Sequence, residues 1–249
     1  MLLKGGFTNY GQDIGILMLD TKFPRIPGDI GNANTYPGIN VRYKIVKGAD
    51  APKIMGKNPD PSLIQPFIEA AQELETEGCK AITTSCGFLA AFQPIIQDAV
   101  SIPVFCSALI LVPLVSKMIS KNKVIGVLTE RAQNMTDEHF QSVGWSMKDY
   151  PVVVSGMQPG SPFPGLFCEN GVNEEYEVLE ACIREMTERH MREHPDTGAL
   201  VFECTNFGPW SKLIQRISGV PVFGINELIK YMASCVNVHD YLEDLTAYL

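Results

Sequence analysis

The chain has 249 residues, 45% hydrophobic and 9% aromatic, enough to bury a substantial core as one large domain or two small ones. A formal charge of -8, a pI near 5.1 and scattered Lys and Arg exclude an electrostatic footprint for nucleic acid or an anionic membrane, so a small molecule is the expected partner. No apolar run approaches the roughly 20 residues that span a bilayer, and only two leucines precede Lys4. The expectation is therefore a cytoplasmic protein whose seven cysteines stay as thiols.

Asp13 to Asp20, "DIGILMLD", is a short apolar run ending in an acid and reads as a buried parallel strand. A polar loop rich in Pro, Gly and Asn follows, then a second strand over Val41 to Gly48. Apolar residues at 63, 64, 67, 68, 71 and 74 have helical spacing, with Gly78 as the stop. "CKAITTS" is a strand, "GFLAAFQPIIQDAV" a helix and "IPVF" another strand, an alternation that predicts a parallel α/β sheet. The second half restarts the pattern: "KVIGVLTE" (Lys123 to Glu130) mirrors the first strand and "PVVVSGM" follows it. A helix is expected over Asn173 to His194, then "ALVFECTN", a helix over Gly208 to Ile217, and "GVPVFG".

Ala81 to Ile110 superposes on Ala199 to Leu228 without a gap. Cys86 falls on Cys204 and Pro103-Val-Phe105 on Pro221-Val-Phe223. The chain reads as two copies of one α/β unit, each ending its central strand in a cysteine that opens a helix. Ligands in open α/β sheets bind beyond the carboxyl ends of strands, so two facing halves bring both thiols to opposite sides of a cleft.

A thiol at a helix N-terminus has its pKa drawn down toward neutrality. One thiolate and one thiol on opposite faces of a carbanion invert a stereocentre. Thr83, Thr84, Ser85, Thr205 and Asn206, with backbone donors such as that of Gly87, would stabilise the enolate-like charge. No cofactor is demanded: there is no P-loop lysine and no GxGxxG after a strand. His190 and His194 stand four apart on a helix, but "HMREH" lacks the glutamate of HExxH and no third ligand is evident, so no metal site is expected.

"IGILMLD" ending in Asp20, "TTSCG" around Cys86, "IGVLT" ending in Thr129 and "ECTN" around Cys204 resemble the aspartate/glutamate/hydantoin racemase superfamily, in that family's order and over most of the chain. The resemblance implies two pseudo-symmetric three-layer domains with the active site between them, the first over 1–107 plus 225–249 and the second over 108–224. It implies Cys86 and Cys204 as the acid/base pair without pyridoxal phosphate, Asp20 as a helper of Cys86 or a loop cap, and Thr129 at the substrate. Arg25 is a carboxylate fork or a surface residue, and Thr35 and Tyr36 contact substrate or shape a turn.

Two departures stand out. Cys86 precedes Gly87-Phe88 where glutamate racemases read Asn-Thr. Asn206 stands where their second motif has a histidine, with Glu203 as a substitute helper. The expected activity is a cofactor-independent amino-acid racemase of aspartate or glutamate type. The alternatives are a hydantoin or allantoin racemase, an enzyme like maleate isomerase or arylmalonate decarboxylase, or a non-catalytic small-molecule binder. A homo-oligomer is left open.

Overall fold

A computed structural model describes residues 2–3 and 5–240. The first half runs β1 (Ile14–Leu19), β2 (Val41–Val46), α1 (Ala51–Ile54), α2 (Ile64–Thr76), β3 (Ala81–Thr84), α3 (Gln93–Asp98) and β4 (Val104–Phe105). Then follow α4 (Val112–Met118), β5 (Val124–Leu128), α5 (Asp137–Gln141), β6 (Val152–Ser155), α6 (Pro162–Phe167) and α7 (Tyr176–Glu193). The last elements are β7 (Thr197–Phe202), α8 (Ser211–Ser218), β8 (Val222–Phe223) and α9 (Ile225–Val236).

The strands form two parallel four-stranded sheets, ordered β2-β1-β3-β4 and β6-β5-β7-β8. The internal repeat is reproduced in their registers. Ile14 pairs with Ala81 and Ile125 with Ala199; Ile82 pairs with Val104 and Leu200 with Val222. The long apolar runs of β1 and β5 follow from burial on both faces, as parallel sheets require.

Alternation along each strand divides the core into three. Ile14, Ile16 and Met18 of β1 meet Ile125 and Val127 of β5 in a core shared by the two sheets. Leu17 and Leu19 face the other way, under α1 and α2, and Leu128, Leu200 and Phe202 face α6 and α7. Helix α9 supplies Ile225, Leu228 and Ile229 to the shared core and lies on β3, whereas α4 lies on β5. Each sheet is therefore the middle of a three-layer α/β sandwich. Residues 241–249, counted above with the first domain, lie outside the described residues.

Candidate active site

Both cysteines follow the carboxyl ends of equivalent strands in extended backbone, Cys86 at φ -146° and Cys204 at φ -73°, and each opens a six-residue 3-10 helix rather than an α-helix. The two turns touch. Thr205 Oγ1 donates to the Ser85 carbonyl at 2.7 Å, and the Ser85 hydroxyl accepts from Leu19 N–H at 2.9 Å. Gly87 is required by this contact: a Cβ there would lie 2.0 Å from the Glu203 carbonyl oxygen. Gly87→Ala is expected to destabilise the fold by about 1–3 kcal/mol or more, because a backbone atom, not a flexible side chain, must give way. Urea unfolding against the wild type checks it.

Cys86 and Cys204 are almost fully buried and line one narrow pocket with Arg25, Phe23 and Phe167. The free space there is about 10 Å³, on the order of one water. Asn206 N–H reaches the Cys204 sulfur at 3.4 Å.

The surroundings of the two thiols are unequal. Cys204 donates to Glu130 Oε1 at 2.7 Å, and Cys168 donates to Glu130 Oε2 at 2.5 Å, so a buried carboxylate is clasped between two thiols. Glu203, which packs on Gly87, accepts from Thr129 Oγ1 at 2.5 Å through Oε2 and leaves Oε1 without a partner. Burial pushes Glu130 up to about 7, against the pull of its two thiol donors. Burial pushes Glu203 up to about 8, with the charge of Glu130 adding to it.

The expectation of acidic thiols is overturned. Burial first, then Glu203 and Glu130, hold Cys86 well above the ordinary thiol range. Burial, then Glu130 and Glu203, do the same to Cys204. A 3-10 turn of six residues has little aligned dipole to set against that desolvation.

Asp20 is not brought to the thiols: its exposed carboxylate takes the Gly48 N–H at 3.4 Å. Thr84 points away from the pocket and donates to the Cys86 and Cys106 carbonyls, fixing the turn. Thr129 serves Glu203. Ser85, Gly87, Thr205, Asn206 and Arg25 do line the pocket.

Arg25 lies over the Phe23 ring at 4.4 Å, with Nη1 2.6 Å from Asp29 Oδ1; Asp29 Oδ2 takes the Asn206 amide at 2.8 Å. The loop after β1 is thus tied to the Cys204 turn. Thr35 and Tyr36 are spent on that loop: Thr35 Oγ1 donates to the Asp29 carbonyl, and the Tyr36 hydroxyl donates to Asn226.

Reading the sequence missed Glu130, Asp29 and Cys168. Glu130 was findable, since it ends "KVIGVLTE" at the strand end where ligands bind; nothing in the sequence marked the other two. His190 is a satisfied core residue between Ser155 at 2.7 Å and Thr197 at 3.1 Å. Among the described residues no group of three or more His, Cys, Asp or Glu is placed to hold a metal, and no helix is long and apolar enough to cross a membrane.

The fold is shared with racemases of known structure. The chain aligns with allantoin racemase from Klebsiella pneumoniae at a TM-score of 0.57 and 17% identity, covering 91% of this chain and 89% of that one. It aligns with glutamate racemase from Francisella tularensis at 0.54 and 19%, covering 94% and 82%. In sequence it is similar to dimethylsulfoniopropionate lyases. It is 28% identical to one from Durusdinium sp. clade D, over 84% of this chain and 70% of the lyase. It is 26% identical to dimethylsulfoniopropionate lyase 7 of Emiliania huxleyi, over 84% and 63%. The chain thus spans less than two thirds of that second relative. No family model matches it.

Proposed function

We propose that the chain is a cofactor-independent enzyme that removes a proton next to a carboxylate, and that its reaction is a β-elimination from a sulfonium carboxylate of the dimethylsulfoniopropionate kind. The carrying observation is the inequality of the two thiols. An elimination needs one base, and of the strand-end pair it is Cys204 that donates to a buried carboxylate.

Passing the Cys204 proton to Glu130 leaves the pair with one negative charge, so burial does not oppose the transfer as it opposes ionising the thiol into water. The thiolate then takes the proton from the carbon beside the substrate carboxylate. The electron pair forms the carbon-carbon double bond, and the bond to sulfur breaks with its pair going to sulfur. The products are dimethyl sulfide and acrylate. Cys86 and the Asn206 amide face the developing enolate as donors.

Two features of the pocket suit a methylated cation that carries a carboxylate. The walls include Phe23 and Phe167, edge to face at 4.9 Å, which suit a soft methylated cation. Arg25, already held in place, suits the carboxylate end. The sequence similarity to the lyases supports the same choice.

Amino-acid racemisation of the aspartate or glutamate type is the second reading, favoured by the equivalent strand positions of the two thiols. One experiment separates the two. The protein is incubated with dimethylsulfoniopropionate, reading headspace dimethyl sulfide and acrylate, and with single enantiomers of Asp and Glu in D2O, reading α-proton exchange and chirality. Equal amounts of sulfide and acrylate are expected. Inversion of an amino acid with no sulfide would replace this reading by the second.

A further inference from the structure

The elimination just proposed has a requirement that racemisation lacks. A racemase returns a proton to its substrate. Elimination from a sulfonium carboxylate yields a neutral sulfide and an acrylate anion, so one proton per turnover must leave the buried site for bulk water.

Cys204 is 5% exposed, inside a pocket with room for about one water. Its hydrogen-bond partner Glu130 is itself buried, yet it forms part of the wall of a second cavity, of about 260 Å³, beyond the carboxyl ends of β5 and β6. Polar groups of Arg131, Gln133, Gln158 and Ser161 line that cavity, with the Arg131 to Glu169 ion pair at 2.9 Å beside it. The space is ample for several waters.

The first half has no such arrangement, because Leu19 stands at the strand position equivalent to Glu130 when β1 is laid on β5. The repeat is therefore broken at this position, and the residue that accepts from one thiol also lines the polar chamber.

We infer that Glu130 is the proton exit of the site: it takes the proton from Cys204 and delivers it to water in the chamber lined by Arg131, Gln158 and Ser161. This rests on the elimination reading. In each cycle the Cys204 proton passes to Glu130 and the thiolate takes the carbon-bound proton. Glu130 then releases its proton to a chamber water, and the regenerated carboxylate again accepts a hydrogen bond from the thiol. One proton enters from substrate and one leaves to water. Glu130 acts through Cys204 and is a positioning and proton-passing residue. Cys168 holds its second oxygen.

The test plugs the chamber without touching the thiols. A Cβ on Gly165 meets nothing within 4 Å, so Gly165→Leu projects into open space. Stopped-flow records acrylate by absorbance and bulk protons by an indicator dye, with dimethylsulfoniopropionate as substrate. In the wild type the two signals should rise together. In Gly165→Leu, about one acrylate per chain should form at the wild-type rate before protons appear, followed by steady turnover slowed about tenfold or more. Glu130→Gln, its folding verified by circular dichroism, should lose both phases.

Simultaneous acrylate and proton signals at wild-type speed in Gly165→Leu would overturn the exit route, whatever Glu130→Gln does. Undiminished turnover in Glu130→Gln would remove Glu130 from the path. A wild type that makes no acrylate would instead fail the elimination reading itself.

Discussion

Cys204→Ser should cut acrylate formation about 10²–10⁴-fold, the range attached to loss of a positioned general base, while leaving the fold intact. A serine hydroxyl can still donate to Glu130 Oε1, so the buried carboxylate stays satisfied. It is a far weaker acid than a thiol and will not yield its proton to a carboxyl group held near 7. Cys86→Ser should be milder, about tenfold, since a hydroxyl can still donate to the enolate. Two-base racemisation makes the opposite demand: each thiol must serve as base in one direction, so both serine variants would lose activity equally. Initial rates for the two variants, beside thermal melts showing unchanged stability, decide between an unequal and an equal pair.

The inequality is the part of the site that was least legible in the sequence. The repeat was legible because strands of a parallel sheet buried on both faces tolerate few changes, so Ala81 to Ile110 and Ala199 to Leu228 kept a gapless offset that the sheet registers reproduce. The thiols were legible because they stand at strand ends in both copies. What broke the symmetry was not. Ser85 and Glu203 are equivalent positions, as are Leu19 and Glu130, and the second member of each pair is a buried acid. A carboxylate in a sequence reads as surface until something shows it buried.

The thiol acidity is illegible in the sequence for a related reason. The strand-to-helix step was visible, but not that the helix is 3-10 and six residues long, nor that two acids lie behind it. Likewise Arg25, read as either substrate fork or surface residue, is a half-way case. It lines the pocket, but Asp29 and Asn206 hold it there through contacts between residues 29 and 206 that no local pattern encodes.

Two buried acids with raised pKa values also fix how stability depends on pH. A carboxyl group whose folded pKa lies above its unfolded value of about 4.3 binds its proton more tightly when folded, so stability falls as pH rises between the two values. Glu130 contributes such a slope up to about 7 and Glu203 up to about 8. His139 and His190, neutral in the core with lowered pKa values, contribute the opposite slope, stability falling as pH drops below about 6.5.

From about pH 4.5 to 6.5 the two effects offset one another. Above that only the acids remain, so a plateau near pH 5–6.5 should give way to a fall between about pH 6.5 and 8. For Glu203 alone that fall is about 2 kcal/mol, one proton at 1.36 kcal/mol per pH unit. Glu203→Gln keeps an acceptor for Thr129 Oγ1 and removes the ionisation. Relative to wild type, its stability should rise by about 2 kcal/mol between pH 6 and pH 8, flattening the slope. Urea unfolding at pH 6, 7 and 8 measures it. Parallel curves for the two proteins would mean that Glu203 is already ionised when folded, and that the single hydrogen bond from Thr129 suffices to hold a buried carboxylate beside Cys86.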